Sequence, residues 1–404
     1  MRPRSLRTTP LGSLASLALK RLRSFDASSL GRDALAGFIS AVGGIAYCIS
    51  LSALIFQGEI VGGFALGLAA LIMGTVVTCL VVALTSTLSP ADAEPDDPAV
   101  AVMSVLAASV AAALAAKGAS NQAVIINVLV AISVSTLFTG IMLFGLGALR
   151  LGQWLRFVPY PVIGGFFAAS GLVLITGGAE VVTQTSLTLA PSSWAVLYSS
   201  LYAPQIGVGI LFVLSISFLR RWVPSYLALP IAFVTFVVVL DGVLFGLVRD
   251  ESIRSAWFLP SLGELALWWP ISAISRNEID WGVIAQSGAE IGVVCGVTAI
   301  SLLLQISSLE VARKKTADLD KELRINGIAN MLSAVGGGFS GSLSMEGSLL
   351  LDEAGASSRW SGVFTALTLA IVLFAGADIG SVVPKAILGG MLTYLGVMIL
   401  SEPL

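Results

Sequence analysis

The chain has 404 residues, of which 56% are hydrophobic and 11% charged, whereas about 25% of the residues of a soluble globular protein are charged. With a mean hydropathy of +0.94, it has too few polar groups to cover a surface in water, so we predict an integral membrane protein. The net charge of −2 argues against a nucleic-acid partner, and the lack of histidine and the three scattered cysteines argue against an enzyme, a metal site or a cofactor.

A membrane-spanning helix needs about 20 predominantly apolar residues. Ten segments of the sequence have this character, and two weaker ones follow the eighth, which gives about twelve crossings. In chain order the predicted segments are 34–56, 60–84, 98–116, 122–146, 157–177, 205–219, 225–248, 283–305, 325–337, 345–355, 360–377 and 383–400.

The distribution of basic residues predicts the orientation, because cytoplasmic loops are enriched in Lys and Arg. If each segment crosses once, most basic residues share one side with the basic arm at 1–33. We therefore expect a multi-pass protein of a bacterial-type inner (plasma) membrane, with its N-terminus in the cytoplasm and the loop 249–280 outside.

Two stretches interrupt the helical pattern, one at 85–98 and one at 336–348. In the first, Asp97 is predicted as the N-cap of a helix whose first residue is Pro98. The breaks fall at segments three and ten, which are matching positions if each half of the chain has seven segments. Such a match indicates an inverted-repeat transporter with a substrate site at mid-membrane; two unrelated kinks are the alternative.

Two helix starts that meet inside the bilayer would present backbone N–H groups and the positive ends of helix dipoles, which favour an anion. No Lys or Arg lies near either break, so hydroxyl groups would complete the coordination, although small residues also favour tight helix packing. The serines in question are Ser340, Ser342, Ser344 and Ser348.

Acidic residues near the breaks admit several interpretations. Glu346 is a proton carrier coupled to transport, because a membrane cavity disfavours the charged carboxylate, or a stabiliser of the helix start, or an acid simply exposed to water. Glu290 is a second coupling candidate, although its place near the outer end of segment eight favours an interfacial role. Asp96 and Asp97 are interpreted as helix-start residues rather than ligands.

Four motifs resemble those of the SulP (sulfate permease) anion transporters, which are related to solute carrier family 26. Residues 150–166 resemble the signature of the family, and 318–330 its acidic-Glu-Leu-Arg-x-x-Gly-x-x-Asn segment. Residues 95–98 are similar to its Gly-Pro-Asp motif, and 344–350, followed by Gly355 and Gly362, to its tenth-segment motif.

The resemblance implies an all-α fold of seven plus seven inverted repeats, homodimers, and elevator-like secondary transport of sulfate, bicarbonate or similar anions. A mobile core would comprise 34–146 and 283–377, and a gate would comprise 157–248 and begin again at 383–404. Carried over to this chain, the anion site falls on Asp97, Pro98, Ala99, Ser344, Glu346, Gly347 and Ser348, beside Ser342.

The sequence departs from the family pattern in three ways. Glu94 stands where the Gly-Pro-Asp motif has glycine, Glu346 adds a second acid, and Thr298 stands at the sodium-site aspartate of bicarbonate-transporting members. The sequence also stops after segment twelve, before the expected segments 13 and 14 and the STAS domain. Two alternatives stay open: a carrier of nucleobases or cationic amino acids on the same fold, and a truncated membrane module that does not transport.

Overall fold

The computed structural model describes residues 30–152, 160–187, 191–246, 248, 251–259, 268–270, 273, 279–375 and 382–401. Nearly all of the predicted cytoplasmic arm and most of the predicted loop 249–280 lie outside the described residues. So does the centre of the 150–166 motif.

Twelve principal helices follow one another in the described residues, and each corresponds to one predicted segment. They are α1 (Leu30–Ile55), α2 (Phe64–Thr85), α3 (Asp97–Ala116), α4 (Asn121–Ala148), α5 (Tyr160–Thr183), α6 (Ala203–Leu219), α7 (Ser225–Gly246), α8 (Gly288–Arg313), α9 (Leu319–Val335), α10 (Met345–Glu353), α11 (Trp360–Ala375) and α12 (Lys385–Ser401). Short helical turns lie at Gly58–Gly63, Pro191–Trp194, Ala195–Tyr198, Glu251–Ser255 and Trp281–Gln286.

Seven helical segments in the described part are long and apolar enough to cross a membrane: α1, α2 with its preceding turn, α3, α4, α5, α7 and α8. Three shorter apolar helices, α6, α11 and α12, accompany them. The chain is therefore an all-α polytopic membrane protein. Its predicted eighth segment differs in extent from the observed helix, because the chain breaks at Ser287 and α8 then continues to Arg313.

The two interruptions contain short β-strands, which the sequence did not predict. Strand β1 (Asp92–Pro95) pairs antiparallel with β2 (Gly341–Ser344), so that Asp92 lies opposite Ser344 and Glu94 opposite Ser342. Pairing supplies hydrogen bonds to non-helical backbone, which is tolerated at membrane depth only where protein covers it. The strands are almost entirely buried and bring the starts of α3 and α10 together.

Close helix packing positions this paired unit. Helix α9 packs against α4, and α12 against α5. At the first contact, a Cβ atom on Gly327 would lie 2.5 Å from the backbone nitrogen of Phe144; at the second, a Cβ atom on Gly178 would lie 2.5 Å from the carbonyl oxygen of Gly389. These approaches require glycine, and small residues serve this purpose in membrane helices generally.

Candidate functional site

A cavity of about 50 Å³ lies where the two strands lead into α3 and α10. A buried water needs about 10–15 Å³ by the same kind of measure, so the space suits a small solute. Polar side chains line most of it, and α5 and α12 contribute an apolar wall. The lining residues are Tyr47, Glu94, Pro95, Asp97, Pro98, Phe167, Ser301, Gln305, Ser342, Ser344, Glu346, Met398 and Ile399.

Two backbone N–H groups at the start of α10 already have hydrogen-bond partners within the protein and are not open to a ligand. Ser344 is the N-cap, and its Oγ accepts a hydrogen bond from the backbone N–H of Gly347 at 2.9 Å. The N–H of Met345 donates to Oε1 of Gln305 at 2.8 Å. The sequence led us to expect open N–H groups here; instead, two of them have partners within the protein, because buried donors must be satisfied.

The start of α3 also differs from the prediction. Asp97 is the first residue of the helix and Asp96 is its N-cap, one position earlier than expected. The Asp96 side chain does not bond the helix start: its Oδ1 accepts from Ser301 Oγ on α8 at 2.6 Å. Pro98 has no N–H, so this helix start also offers fewer donors than a typical one.

Three carboxyl groups face the cavity, from Glu94, Asp97 and Glu346, and none of the described residues that line it is Lys or Arg. The Glu94 carboxylate accepts a hydrogen bond from Ser344 Oγ, with 2.5 Å between Oε2 and Oγ. Each helix N-terminus carries roughly half a positive charge. Two such ends cannot balance three ionised carboxylates, so the site as built favours protons or other cations until the carboxylates are neutralised.

Contacts behind the cavity hold strand β1, which carries Asp92 and Glu94, in place. Asp92 is fully buried behind the cavity, where its carboxylate accepts from the hydroxyl of Ser40 and from Cys79 Sγ at 3.0 Å. Asp92 and Glu94 both pack on Gly347, where a Cβ atom would lie 3.2 Å from Asp92 Cβ and 3.2 Å from Glu94 Cδ. Gly347 therefore acts by leaving room for these two side chains.

One face of α9 supports both interruptions. Asn326 Oδ1 accepts from the N–H of Leu343 at 2.9 Å, while Asn330 bonds the backbone of Gly341, so their carboxamides serve the free edge of β2. One turn before Asn326, Glu322 Oε1 accepts from the N–H of Thr87 at 2.6 Å, at the beginning of the first break. The motif noted at 318–330 thus organises the backbone around the site.

Five of the eight predicted substrate residues line the cavity: Asp97, Pro98, Ser342, Ser344 and Glu346. Ala99, Gly347 and Ser348 are buried and do not line it. Ser348 Oγ accepts from the N–H of Asp92 at 3.1 Å, and Ser340 Oγ donates to Asn330 Oδ1 at 3.0 Å, so both hydroxyls have structural roles. Glu290 lies in the first turn of α8, where Ser109 Oγ donates to it at 3.4 Å, and it does not reach the cavity.

Sequence reasoning missed several lining residues. Ser301 and Gln305 are four residues apart in the eighth segment, which places them on one helix face. That spacing could have identified them, and Tyr47 could have been noticed as the one tyrosine of segment one. Phe167, Met398 and Ile399 carry no such signal, because apolar residues are common in every membrane helix.

Curated relatives match part of this chain. The vacuolar basic amino acid transporter VSB1 of Saccharomyces cerevisiae is 25% identical over 285 residues, which cover 67% of this chain and 27% of VSB1. The bicarbonate transporter BicA of Synechocystis sp. is 26% identical over 284 residues, which cover 65% of this chain and 46% of BicA. The chain thus matches less than half the length of these relatives.

Solved structures share the fold. The transmembrane domain of a cyanobacterium bicarbonate transporter BicA aligns with a TM-score of 0.70 at 20% identity and covers 94% of this chain and 91% of that one. The murine Slc26a9 anion transporter in the inward-facing state aligns with a TM-score of 0.72 at 14% identity and covers 100% and 66%. The model of the sulfate permease family matches residues 30–403, so the resemblance in the motifs is confirmed and this chain belongs to the sulfate permease family.

Proposed function

We propose that this chain carries a small inorganic anion of the sulfate or bicarbonate class across a bacterial-type inner membrane, together with protons, by secondary transport. The proposal draws on the family, whose description is sulfate permease, and on the relatives named as bicarbonate transporters. The observation that carries it is the polar cavity at the paired helix starts, with its hydroxyls and three carboxyls.

Protons are an integral part of this proposal because of the charge around the cavity. An anion entering beside Glu94, Asp97 and Glu346 would be repelled while the three are ionised. Protonation removes the repulsion and turns each carboxyl into an O–H donor. The hydroxyls of Tyr47 and Ser342 line the same space and are further neutral donors for an anion.

Alternating access by an elevator-like movement completes the proposal. The polar side of the cavity comes from α1, β1, α3, α8, β2 and α10, whereas α5 and α12 contribute Phe167, Met398 and Ile399. An apolar wall makes few directional bonds and suits a sliding boundary. We therefore propose that α1–α4 and α8–α11 move as the core, against a gate formed by α5–α7 and α12, in a homodimer with the N-terminus in the cytoplasm.

A second candidate function is transport of a cationic amino acid. The three carboxyl groups favour it, with no Lys or Arg among the lining residues that the structure describes, as does the similarity to a relative named as a basic amino acid transporter. The two functions require opposite protonation states of the cavity. Acidification should raise the uptake of an anion that needs protonated carboxyls and lower the uptake of a cation that needs ionised ones.

Uptake by the purified protein in liposomes tests the proposal. Labelled sulfate, bicarbonate, arginine and uracil would be supplied separately between pH 5.5 and 8 at a fixed membrane potential. We expect sulfate or bicarbonate to accumulate, for sulfate faster at acidic pH. Accumulation of arginine or uracil alone would replace the anion proposal, and accumulation of none of the four would indicate a module that does not transport.

A further inference from the structure

The Ser344 hydroxyl takes part in two hydrogen bonds, and the one that it donates uses its only hydrogen. Its Oγ accepts from the N–H of Gly347 and donates to Glu94 Oε2. A hydroxyl has one O–H donor and can accept two hydrogen bonds. While Glu94 is ionised, Ser344 therefore has no hydrogen left for an anion, although it lines the cavity.

We propose that Glu94 and Ser344 couple proton binding to anion binding by exchanging the direction of their shared hydrogen bond. This inference rests on the proposed anion transport and names the pair that performs the coupling. A proton from water binds the Glu94 carboxylate, and the new carboxyl O–H donates to the second acceptor position of Ser344 Oγ. The Ser344 hydrogen is released and turns to the anion, while the bond from Gly347 N–H is kept.

The exchange conserves every existing hydrogen bond and adds one to the anion. Before protonation, Ser344 Oγ accepts one hydrogen bond, from Gly347, and donates one, to Glu94. Afterwards it accepts two, from Gly347 and Glu94, and donates one to the anion. Loss of the proton reverses the exchange and withdraws the donor. The pair therefore links one proton to one donor at the site, in addition to removing one negative charge.

Other titratable groups surround Glu94 and set the background on which the pair acts. They come from α1, α2, β1, α3 and α10, and within the described part of the chain no basic residue lines the cavity with them. These groups are Tyr47, Cys48, Cys79, Asp92, Asp97 and Glu346. The cavity residues from α5, α8 and α12 are not titratable: Phe167, Ser301, Gln305, Met398 and Ile399. A test must therefore separate the hydrogen-bond exchange from a simple change of charge.

A double-mutant cycle at pH 8 makes this separation. Glu94→Gln removes the charge and offers an amide N–H to Ser344, which imitates the protonated acid. We expect it to improve the affinity for sulfate, measured as the uptake KM in liposomes, by about tenfold in the native background. In the Ser344→Ala background the same change removes only the charge, so the improvement should be smaller by about threefold or more, because no hydroxyl hydrogen remains to be released.

Two further variants complete the experiment. Glu94→Gly removes the acceptor of the Ser344 hydrogen without adding an amide. It replaces Glu94→Gln if that variant does not fold, and its improvement in KM should likewise be larger with Ser344 present than in the Ser344→Ala background. Glu353→Gln, an exposed acid at the other end of α10, should leave the KM unchanged in both backgrounds.

Three outcomes would overturn the inference. Equal improvement by Glu94→Gln with and without Ser344 would show that Glu94 acts by charge alone. No improvement in a folded variant that still takes up sulfate would remove Glu94 from the coupling while leaving anion transport intact. No uptake of sulfate, bicarbonate, nitrate or chloride by the native protein would overturn the proposed function and this inference together.

Discussion

The carboxamide of Asn330 forms hydrogen bonds with both backbone groups of Gly341, its N–H and its carbonyl oxygen. Its Nδ2 donates to the carbonyl oxygen of Gly341 at 2.8 Å, and its Oδ1 accepts from the N–H of the same residue at 3.1 Å. A side chain of α9 thus takes the place of a third strand beside β2. Exposed strand edges are not tolerated inside a bilayer, so this substitution explains how a two-stranded ribbon can exist there.

We expect Asn330→Leu to destabilise the protein and abolish uptake. The change keeps a similar volume but leaves both backbone groups of Gly341 without the Asn330 side chain, and each unsatisfied buried group costs about 1–3 kcal/mol. Thermal unfolding in detergent and hydrogen exchange at residues 340–343 measure the effect. Asn121→Leu, at an exposed position at the start of α4, serves as the control and should behave like the native protein. Normal exchange protection in Asn330→Leu would contradict the assigned role.

The sequence predicted the helices and the two interruptions because long apolar runs and polar, proline-rich or glycine-rich stretches are local signals. The strands were missed because their sequences, Asp-Ala-Glu-Pro and Gly-Ser-Leu-Ser, lack the β-branched and aromatic residues typical of strands. Their conformation depends on each other and on Asn326 and Asn330, which are distant in sequence from β1. Residue type alone could not show that Ser344 faces the cavity while Ser348 faces the backbone of Asp92.

Ser348→Ala should reduce stability without weakening substrate affinity. Ser348 Oγ accepts from the N–H of buried Asp92, so its loss leaves that donor without this partner at a cost of about 1–3 kcal/mol. The substrate KM in liposomes should stay within about twofold of the native value, while the unfolding temperature falls. In Ser344→Ala, by contrast, the KM should rise at acidic pH, where Glu94 is protonated. Equal increases in KM for the two variants would show that Ser348 contributes to substrate binding.

Glu290→Gln should leave the pH profile of uptake unchanged. Glu290 lies in the first turn of α8 beside Ser109 and outside the cavity, so we expect that its protonation is not coupled to transport of the solute. Initial rates of sulfate uptake between pH 5.5 and 8 test this. A flattened profile in a protein of native stability would show that protons reach the site through Glu290 and would restore it as a coupling residue.

The Lys117–Asp280 ion pair should contribute little to uptake and should weaken in acid. Lys117 Nζ lies 2.6 Å from Asp280 Oδ2, and the hydrogen bond from Lys117 is the main cause that holds the pKa of Asp280 below its ordinary value. A lowered folded-state pKa stabilises the fold above the ordinary pKa of the group and loses that effect as the pH falls through the folded value. Asp280→Asn should therefore change thermal stability only slightly at pH 7, as expected for an exposed pair, and not at all in strong acid. A loss of uptake at pH 7 would contradict this.

Arg313 joins the end of α8 to both interrupted stretches, and we expect its guanidinium to be irreplaceable. Its Nε donates to Asp352 Oδ2 at 2.7 Å, and its two terminal nitrogens donate to the carbonyl oxygens of Leu88 and Ser348 at 3.0 Å each. Arg313→Lys keeps the charge but cannot span three separate acceptors with one compact ammonium group. Because hydrogen bonds to charged groups contribute about 1.5–3 kcal/mol each, we expect a clear fall in unfolding temperature and slower uptake. Arg221→Lys, at an exposed position after α6, is the matched control and should match the native protein in both measurements. An Arg313→Lys variant as stable as the native protein would show that charge alone holds α8 and α10 together.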